Sequence, residues 1–431
     1  MKIIAAKFVL PISSDPITDG AVAIENGRIA AVGTKSEMVA RYADAAIEDH
    51  GDAVVMPGLV NAHAHLELTA MRGMLEEHDH DFPAWLLGVA RARVERFTEE
   101  ELAEFAVSGA LEGARGGVTT FGDIGWMGRI GLEALKSVGL RGIVFQETPF
   151  SPDSRSAGQD FSVLRTNVEG LLKSATSKVR IGISPHTPYT VSGPLFGMIA
   201  DYSKSEGHPV SIHLAESADE HRMMMTGESF FKAFLEREGL VWNAPGTSAT
   251  AFLDSTGILA TRPLFAHCIH LSDDDVAMLA DSGSRIAHCP KSNAKFGHGI
   301  APIEKYLEAG IDVGLGSDSV ASNNSIDLFE ESRAGLLFSR TMRNASGVRE
   351  FQREFLSPRS ILELATLGGA KALGMEGEIG SIETGKFADL CVVSLDHISQ
   401  KPVHDVHSTL AFSTTARDVI ATYVEGESVG E

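Results

Sequence analysis

The sequence predicts an α/β chain, a parallel (β/α)8 (TIM) barrel joined to a small β-sandwich domain formed by both chain ends. Three observations carry this. Eight β-like runs follow one another through the centre of the chain, separated by stretches with helical spacing. The runs are nearly continuous in apolar residues, as strands buried on both faces are. The two flanks instead show short alternating runs broken by glycine turns, the pattern of antiparallel strands.

Taken in order, residues 1–57 hold short strands, above all AVAIENGRIAAVG, in which ENGR is a turn between two alternating runs. The eight central strand candidates are GLVNAHA, GVTTFGDIG, LRGIVFQET, VRIGISPHT, PVSIHLAES, LFAHCIHL, RIAHCPKSN and IDVGLGSDS. Between them, SDDDVAMLADSG and IAPIEKYLEAG repeat apolar residues three and four apart, and Gly283 and Gly310 stop the helices. LSDDD opens the first of these with a capping residue, Ser272 or an aspartate. GEIGSIETGKFADLCVVSL and ATYVEGESVG read again as strands with glycine turns. The expected domains are therefore 1–57 with 376–431 (sandwich) and 58–375 (barrel). A doubly wound open sheet is the alternative, and it fits less well because the polar residues gather at many strand ends, not at one switch point.

Of 431 residues, 43% are hydrophobic and 22% charged, the composition of a globular protein. No apolar run reaches the length of a membrane span. The opening MKIIAAKFVLPISSDPITDG lacks the longer apolar core of a signal peptide. Three cysteines, Cys268, Cys289 and Cys391, cannot build a disulfide framework, so a cytoplasmic location is expected. The net charge of −21, from 37 Lys and Arg against 58 Asp and Glu, argues against nucleic acid or an anionic membrane as partner.

The strand ends carry the chemistry. His63 and His65 end the first central strand, two residues apart and so on one side of it. His186 ends the fourth, His213 and Glu216 the fifth, His267 and His270 the sixth, and Asp318 the eighth. In a barrel these ends converge on one mouth. Three imidazoles and a carboxylate suit a divalent ion that keeps one position for water, which the ion activates near neutral pH.

The motifs PGLVNAHAHLE, SPHTPYTVS, IHLAES, AHCIHLSDDD, KSNAKFGHGIAP, LGSDSVASNNSIDLF and GSIETGKFADL span nearly the whole chain. Through them it resembles the amidohydrolase superfamily, in the branch of adenosyl-homocysteine/methylthioadenosine deaminases, aminofutalosine deaminases, guanine deaminase and triazine chlorohydrolases. The resemblance implies that His63, His65, His213 and Asp318 hold one metal ion, with Zn²⁺ expected and Fe²⁺ accepting the same set. It implies that Glu216 shuttles protons and that His267 polarises the attacking hydroxide at the metal. Asp318 would also act in catalysis, as proton acceptor. His186 matches a substrate contact, and His270 and His288 match no functional position. Binuclear members use a lysine on the fourth strand; VRIGISPHT has none at its end, so one ion is expected.

The reaction so implied is hydrolytic loss of ammonia from an amino-substituted N-heterocycle of the adenine-nucleoside kind. Trp85 matches an aromatic that stacks on the purine. The acid that grips ribose two positions earlier in such enzymes is here Pro83; either Glu76, Glu77 or Asp81 takes over, or the substrate has no such ribose. Glu67, HLAESADE and VWNAPGTSATAFLD resemble aminofutalosine deaminases more closely than adenosyl-homocysteine deaminases, with Glu67 a further substrate contact. EEHDHD, in the loop over the mouth, reads as a solvated lid or, less well, a second metal site. Phe296 and His298 either line the pocket or form an ordinary turn. Guanine or pterin deamination and triazine dechlorination would use the same ligands. A barrel that has lost catalysis would lack several of them. The expected partner is a small heterocycle, and a homo-oligomer is compatible with the resemblance.

Overall fold

The computed structural model describes residues 1–237, 239, 242–345 and 356–430. The chain enters through β1 (Lys2–Val9), β2 (Ile17–Glu25), β3 (Arg28–Thr34), β4 (Ala46–Asp49) and β5 (Ala53–Pro57). Eight strands follow through the centre: β6 (Leu59–Ala64), β7 (Val118–Gly125), β8 (Arg141–Glu147), β9 (Val179–Ser184), β10 (Ser211–Leu214), β11 (Leu264–His267), β12 (Arg285–His288) and β13 (Asp312–Leu315). The chain closes with β14 (Leu390–Ser394), β15 (Val419–Val424) and β16 (Glu427–Ser428).

Both chain ends supply one sheet, in the order β16-β15-β14-β5-β1-β2-β3, with β4 also pairing to β1. Its two-residue side-chain period sorts the apolar residues onto opposite faces. Ile4, Val9, Val22 and Leu390 join one apolar cluster, while Ile3, Ala5, Ala21 and Ala23 join another. The ENGR turn is where the sequence places it. Glu25 pairs with Arg28, and Asn26 and Gly27 both take positive φ, as a two-residue hairpin turn requires. One expectation is corrected. Residues 377–389 turn at Gly380 and Gly385 as the glycines suggest, with φ values of 88° and 94°, but pair only through a single antiparallel bridge of Phe387 to Arg28 and form no strand.

The central strands form two four-stranded parallel sheets, β6-β7-β8-β9 and β10-β11-β12-β13. Single bridges join their margins, Ile183 to Val210 on one side and Ala64 to Asp318 on the other. Val60, Ile124, Ile143, Phe145, Leu264 and Ala287, drawn from both sheets, share one buried cluster. Helices separate the strands, and the two stretches chosen from the sequence form as expected. Asp273–Ser282 starts at a Ser272 capping box and stops at Gly283, and Ile303–Glu308 ends before Gly310; both glycines are left-handed. Val241, the first residue of the VWNAPGTSATAFLD motif, lies outside the described residues; its later part forms the helix Ala249–Ser255.

A single residue separates β5 of the outer sheet from β6. A Cβ on Gly58 would stand 2.2 Å from the Thr119 side chain, so only glycine fits this junction. Nearby, the fully buried Arg141 of β8 bonds Asp389 at 2.8 Å and Glu425 at 3.1 Å, tying the central strands to the outer sheet.

Candidate metal centre and substrate pocket

The histidine cluster is built from strand ends. His63 ends β6 fully buried, and neither of its ring nitrogens makes a hydrogen bond. His65 Nδ1 lies 3.0 Å from the Ile124 carbonyl and His213 Nδ1 lies 3.1 Å from the His186 carbonyl. A carbonyl only accepts, so both Nδ1 atoms carry the proton and both Nε2 atoms present lone pairs. Those Nε2 atoms face each other at 3.3 Å. Asp318 Oδ1 stands 3.4 Å from His63 Nε2 and 3.5 Å from His65 Nε2. Lone pairs and an anionic oxygen so close together repel unless a cation sits among them.

Electrostatics agree. Burial lowers the pKa of His63 and His267, brings His65 down to about 3, and holds His213 well below its usual value. Burial alone would raise Asp318, but His63, His267 and His65 outweigh it and keep the carboxylate ionised. Neutral imidazoles beside an ionised carboxylate are the protonation states a divalent ion needs. Donors about 2.0–2.1 Å from a tetrahedral ion stand about 3.3–3.4 Å apart, close to the three separations just given. Among the described residues the donors form two triads that share His63: His63, His65 and His213, and His63, His267 and Asp318. The residues fit a metal ion.

Around this cluster the chain is held under local constraint. Ala215, His267 and Asp318 take left-handed φ values of 51°, 71° and 57°, strain of the kind that gathers at functional sites. Glu220 accepts the backbone N–H groups of Ala215 and Glu216, at 2.9 and 3.0 Å, and so locks the turn after β10. His267 Nδ1 donates to Asn293 Oδ1 at 2.8 Å, which leaves its Nε2 free 3.8 Å from Glu216 Oε1. Burial, helped by the charge of Asp318, pushes the Glu216 pKa well up from the usual carboxylate range, which favours its protonated form.

A cavity of about 440 Å³ opens onto His65, His213, Glu216, His267 and Asp318. Trp85 and His186 line it, together with Phe296. Trp85 packs on Phe296 with ring centroids 4.9 Å apart, and His298 Nε2 comes within 3.8 Å of Glu216 Oε1. The FGHG stretch therefore belongs to the pocket surroundings. A wider surface trough of about 1390 Å³ elsewhere is lined by Arg72, Glu112 and other exposed charged groups, and none of the clustered histidines borders it.

Glu67 departs from its expected place. It is 1% exposed and does not line the cavity; its carboxylate pairs with Arg93 at 2.5 Å and accepts the Met127 N–H at 3.1 Å. The three-residue-per-turn helix Leu66–Met71 that follows His65 turns it away from the pocket. Among the acids weighed against Pro83, Glu76 accepts from Lys295 and Asn324, and Asp81 caps the helix Phe82–Glu95. The Glu77 side chain is 80% exposed. Sequence reasoning missed Ser292 and Ser322, which donate to Asp318 Oδ2 at 2.6 and 2.9 Å, as well as Asn293 and Glu220. Ser292 and Asn293 lie in the KSNAKFGHGIAP motif, a signal without an assigned role.

Parallel strands that deliver imidazoles and a carboxylate to one pocket define the class of divalent-metal hydrolases. The chain belongs to the amidohydrolase family, whose model matches residues 54–429; an imidazolonepropionase-like composite domain of bacteria matches residues 20–45. It is 32% identical over 414 residues to a 5-methylthioadenosine/S-adenosylhomocysteine deaminase of Nitratidesulfovibrio vulgaris, covering 95% of this chain and 87% of that protein. It is also 32% identical over 428 residues to a 5'-deoxyadenosine deaminase of Methanosarcina mazei, covering 99% and 91%. An adenosine deaminase of Xanthomonas campestris solved with bound zinc superposes with a TM-score of 0.82 at 28% identity, covering 99% and 92%. A zinc complex of atrazine chlorohydrolase from Arthrobacter aurescens shares the fold, with a TM-score of 0.83 at 24% identity and coverage of 99% and 95%.

Proposed function

We propose that this protein is a metal-dependent hydrolytic deaminase of adenine nucleosides. The observation that carries the reading is the pair of Nε2 lone pairs facing each other at 3.3 Å beside the ionised Asp318, with Glu216 on the same pocket 3.8 Å from His267 Nε2. Relatives along nearly the whole chain are deaminases of adenosine derivatives, which favours adenine among the heterocycles. On this reading residues 58–375 form a closed (β/α)8 barrel, and residues 1–57 with 376–431 a composite β-sandwich. Three free buried cysteines fit a reducing cytosol.

His63, His65, His213 and Asp318 would hold the ion, and Zn²⁺ suits three imidazoles and a carboxylate. When bound it supplies Lewis acidity, bringing the pKa of water toward ~7. The protein residues do the rest. Glu216 gives its proton to the ring nitrogen next to the amino-bearing carbon, which makes that carbon electrophilic. His267, its Nε2 lone pair free, accepts a hydrogen bond from the attacking water and aims it. Asp318 takes the proton the water loses. As the tetrahedral carbon collapses, Asp318 passes its proton to the leaving amino group. Glu216 takes the proton of the new hydroxyl and is reset as an acid, and the C–N bond breaks to release ammonia as the C=O bond forms. Trp85 and His186 line the space for the base.

The test is Glu216→Gln, assayed for ammonia release from 5'-deoxyadenosine, methylthioadenosine, adenosyl-homocysteine and aminofutalosine, with guanine, a pterin and a triazine alongside. The variant is expected to keep its metal and its melting temperature while kcat falls about 10²–10⁴-fold. Near-normal turnover would contradict the role of Glu216, and wild-type activity confined to guanine, pterin or triazine would move the substrate class.

A further inference from the structure

One carboxylate on the pocket has no part in the chemistry above. Glu147 ends β8, is 8% exposed, and lines the cavity between His186 and Arg93. Among the described residues no donor reaches it at hydrogen-bond length. His186 Nε2 stands 3.9 Å from its Oε1, and Arg93 stands 4.0 Å from its Oε2. Arg93 makes its short contact with Glu67 instead. Next to Glu147, the Thr148 hydroxyl lies on the same wall, buried and without a partner. Buried polar groups are nearly always hydrogen-bonded. Two neighbouring ones that make no hydrogen bond at a cavity are placed to bind what enters it.

The position of this pair limits the ligand. The His186 ring is 5.2 Å from that of His213, so Glu147 lies one ring beyond the histidine cluster. A purine whose reacting carbon meets Glu216 and His267 would reach this wall with its sugar if its glycosidic bond points toward His186. The charge limits it further. Arg93 is shared by Glu67 and Glu147, two carboxylates to one cation, so an anionic group is not welcome here. Val94, Trp126 and Phe150 line the mouth and remain 71%, 41% and 46% exposed, an apolar rim beside the polar wall.

We propose that Glu147 sets specificity by accepting hydrogen bonds from the vicinal ribose hydroxyls, with Thr148 beside it, so that the substrate is a ribonucleoside with an uncharged, apolar 5' substituent. This rests on the deaminase reading and goes further, since it selects for the sugar and against both nucleotides and free bases.

The experiment compares kcat/KM for 5'-deoxyadenosine, its 2',3'-dideoxy counterpart and adenosine 5'-monophosphate in the metal-loaded wild type, Glu147→Gln and Glu147→Ala. Burial, with Glu67 nearby and Arg93 opposing, pushes the Glu147 carboxyl up to about 7, so the assays are run above that pH, where it accepts as a carboxylate. There, in the wild type, loss of the diol is expected to cost about 10–100-fold, the range for hydrogen bonds to a charged group. In Glu147→Ala that ratio should collapse toward unity, chiefly through KM, with Glu147→Gln between the two. The monophosphate should be the poorest wild-type substrate. Equal losses on diol and dideoxy substrates, an unchanged ratio, or good turnover of the monophosphate would overturn the proposal. If the wild type releases ammonia from no adenine nucleoside, the deaminase reading fails, and calorimetry decides on Glu147 separately. Tighter wild-type binding of inosine than of 2',3'-dideoxyinosine, abolished in Glu147→Ala, would sustain the diol contact. Equal or absent binding would end it.

Discussion

Asp318 divides its two oxygens between two tasks. Oδ1 turns toward His63 and His65, while Oδ2 is held by the hydroxyls of Ser292 and Ser322. Both serines are fully buried, so these bonds are not exchanged for water. With Asp318 a ligand, as proposed, the serines fix its rotation and hold it as a carboxylate acceptor. Ser292→Ala combined with Ser322→Ala is therefore expected to lower divalent-metal affinity about 10–100-fold, as removal of ligand-orienting partners does elsewhere. Titration against a coloured chelator checks it; unchanged affinity would show that backbone strain alone orients Asp318. His63, His65, His213 and Asp318 were legible because polar residues gathered at several strand ends and the resemblance of their motifs singled out these four. Ser292 and Ser322 were not, since serine in a loop has many duties. Nor was Glu147, whose place beside the pocket depends on the packing of His186 and Arg93.

At the level of elements, the helix Asp273–Ser282 shows what local chemistry alone can decide. Its start follows from Ser272 and Asp275 bonding reciprocally, and its end from Gly283 in the left-handed region. All three residues lie within a dozen positions, and the sequence placed both ends. What it could not supply is the long-range tie, for Asp275 is buried and also accepts from the Ser248 hydroxyl at 2.5 Å, across from another helix. Asp275→Ala removes the acceptor from two hydroxyls and from the Ser272 N–H together. It is expected to cost about 1–3 kcal/mol, read as a lower denaturant midpoint at unchanged slope; an unshifted midpoint would mean that water replaces all three bonds. Glu67 marks the opposite limit. The sequence shows a polar residue after His65, but only the tight helix around it decides that it faces Arg93 and not the pocket.

The molecule as a whole is held at the foot of β8 by Arg141. Its guanidinium meets Asp389 just before β14 and Glu425 just after β15, and its pKa is raised because these carboxylates outweigh the effect of burial. Arg141→Met would strand two acids in a place built for a cation. The expected loss is about 3–5 kcal/mol, measured by chemical denaturation, with part of it recovered when Asp389→Leu is added. A loss below about 1 kcal/mol would show that the two regions are joined by apolar contact alone. That both chain ends meet in one sheet was legible from alternating runs; that a single arginine fastens this sheet to the strands bearing the site was not, because its partners lie far along the chain. The same economy recurs at the margins of the central sheets, where the His213 amide donates to the His186 carbonyl and the Asp318 amide to the His63 carbonyl. The residues gathered around the candidate ion thus also stitch the two seams between the sheets. An ion there would act as a clasp on the whole weave, and a molecule deprived of it would begin to part along those two lines, from the mouth inward.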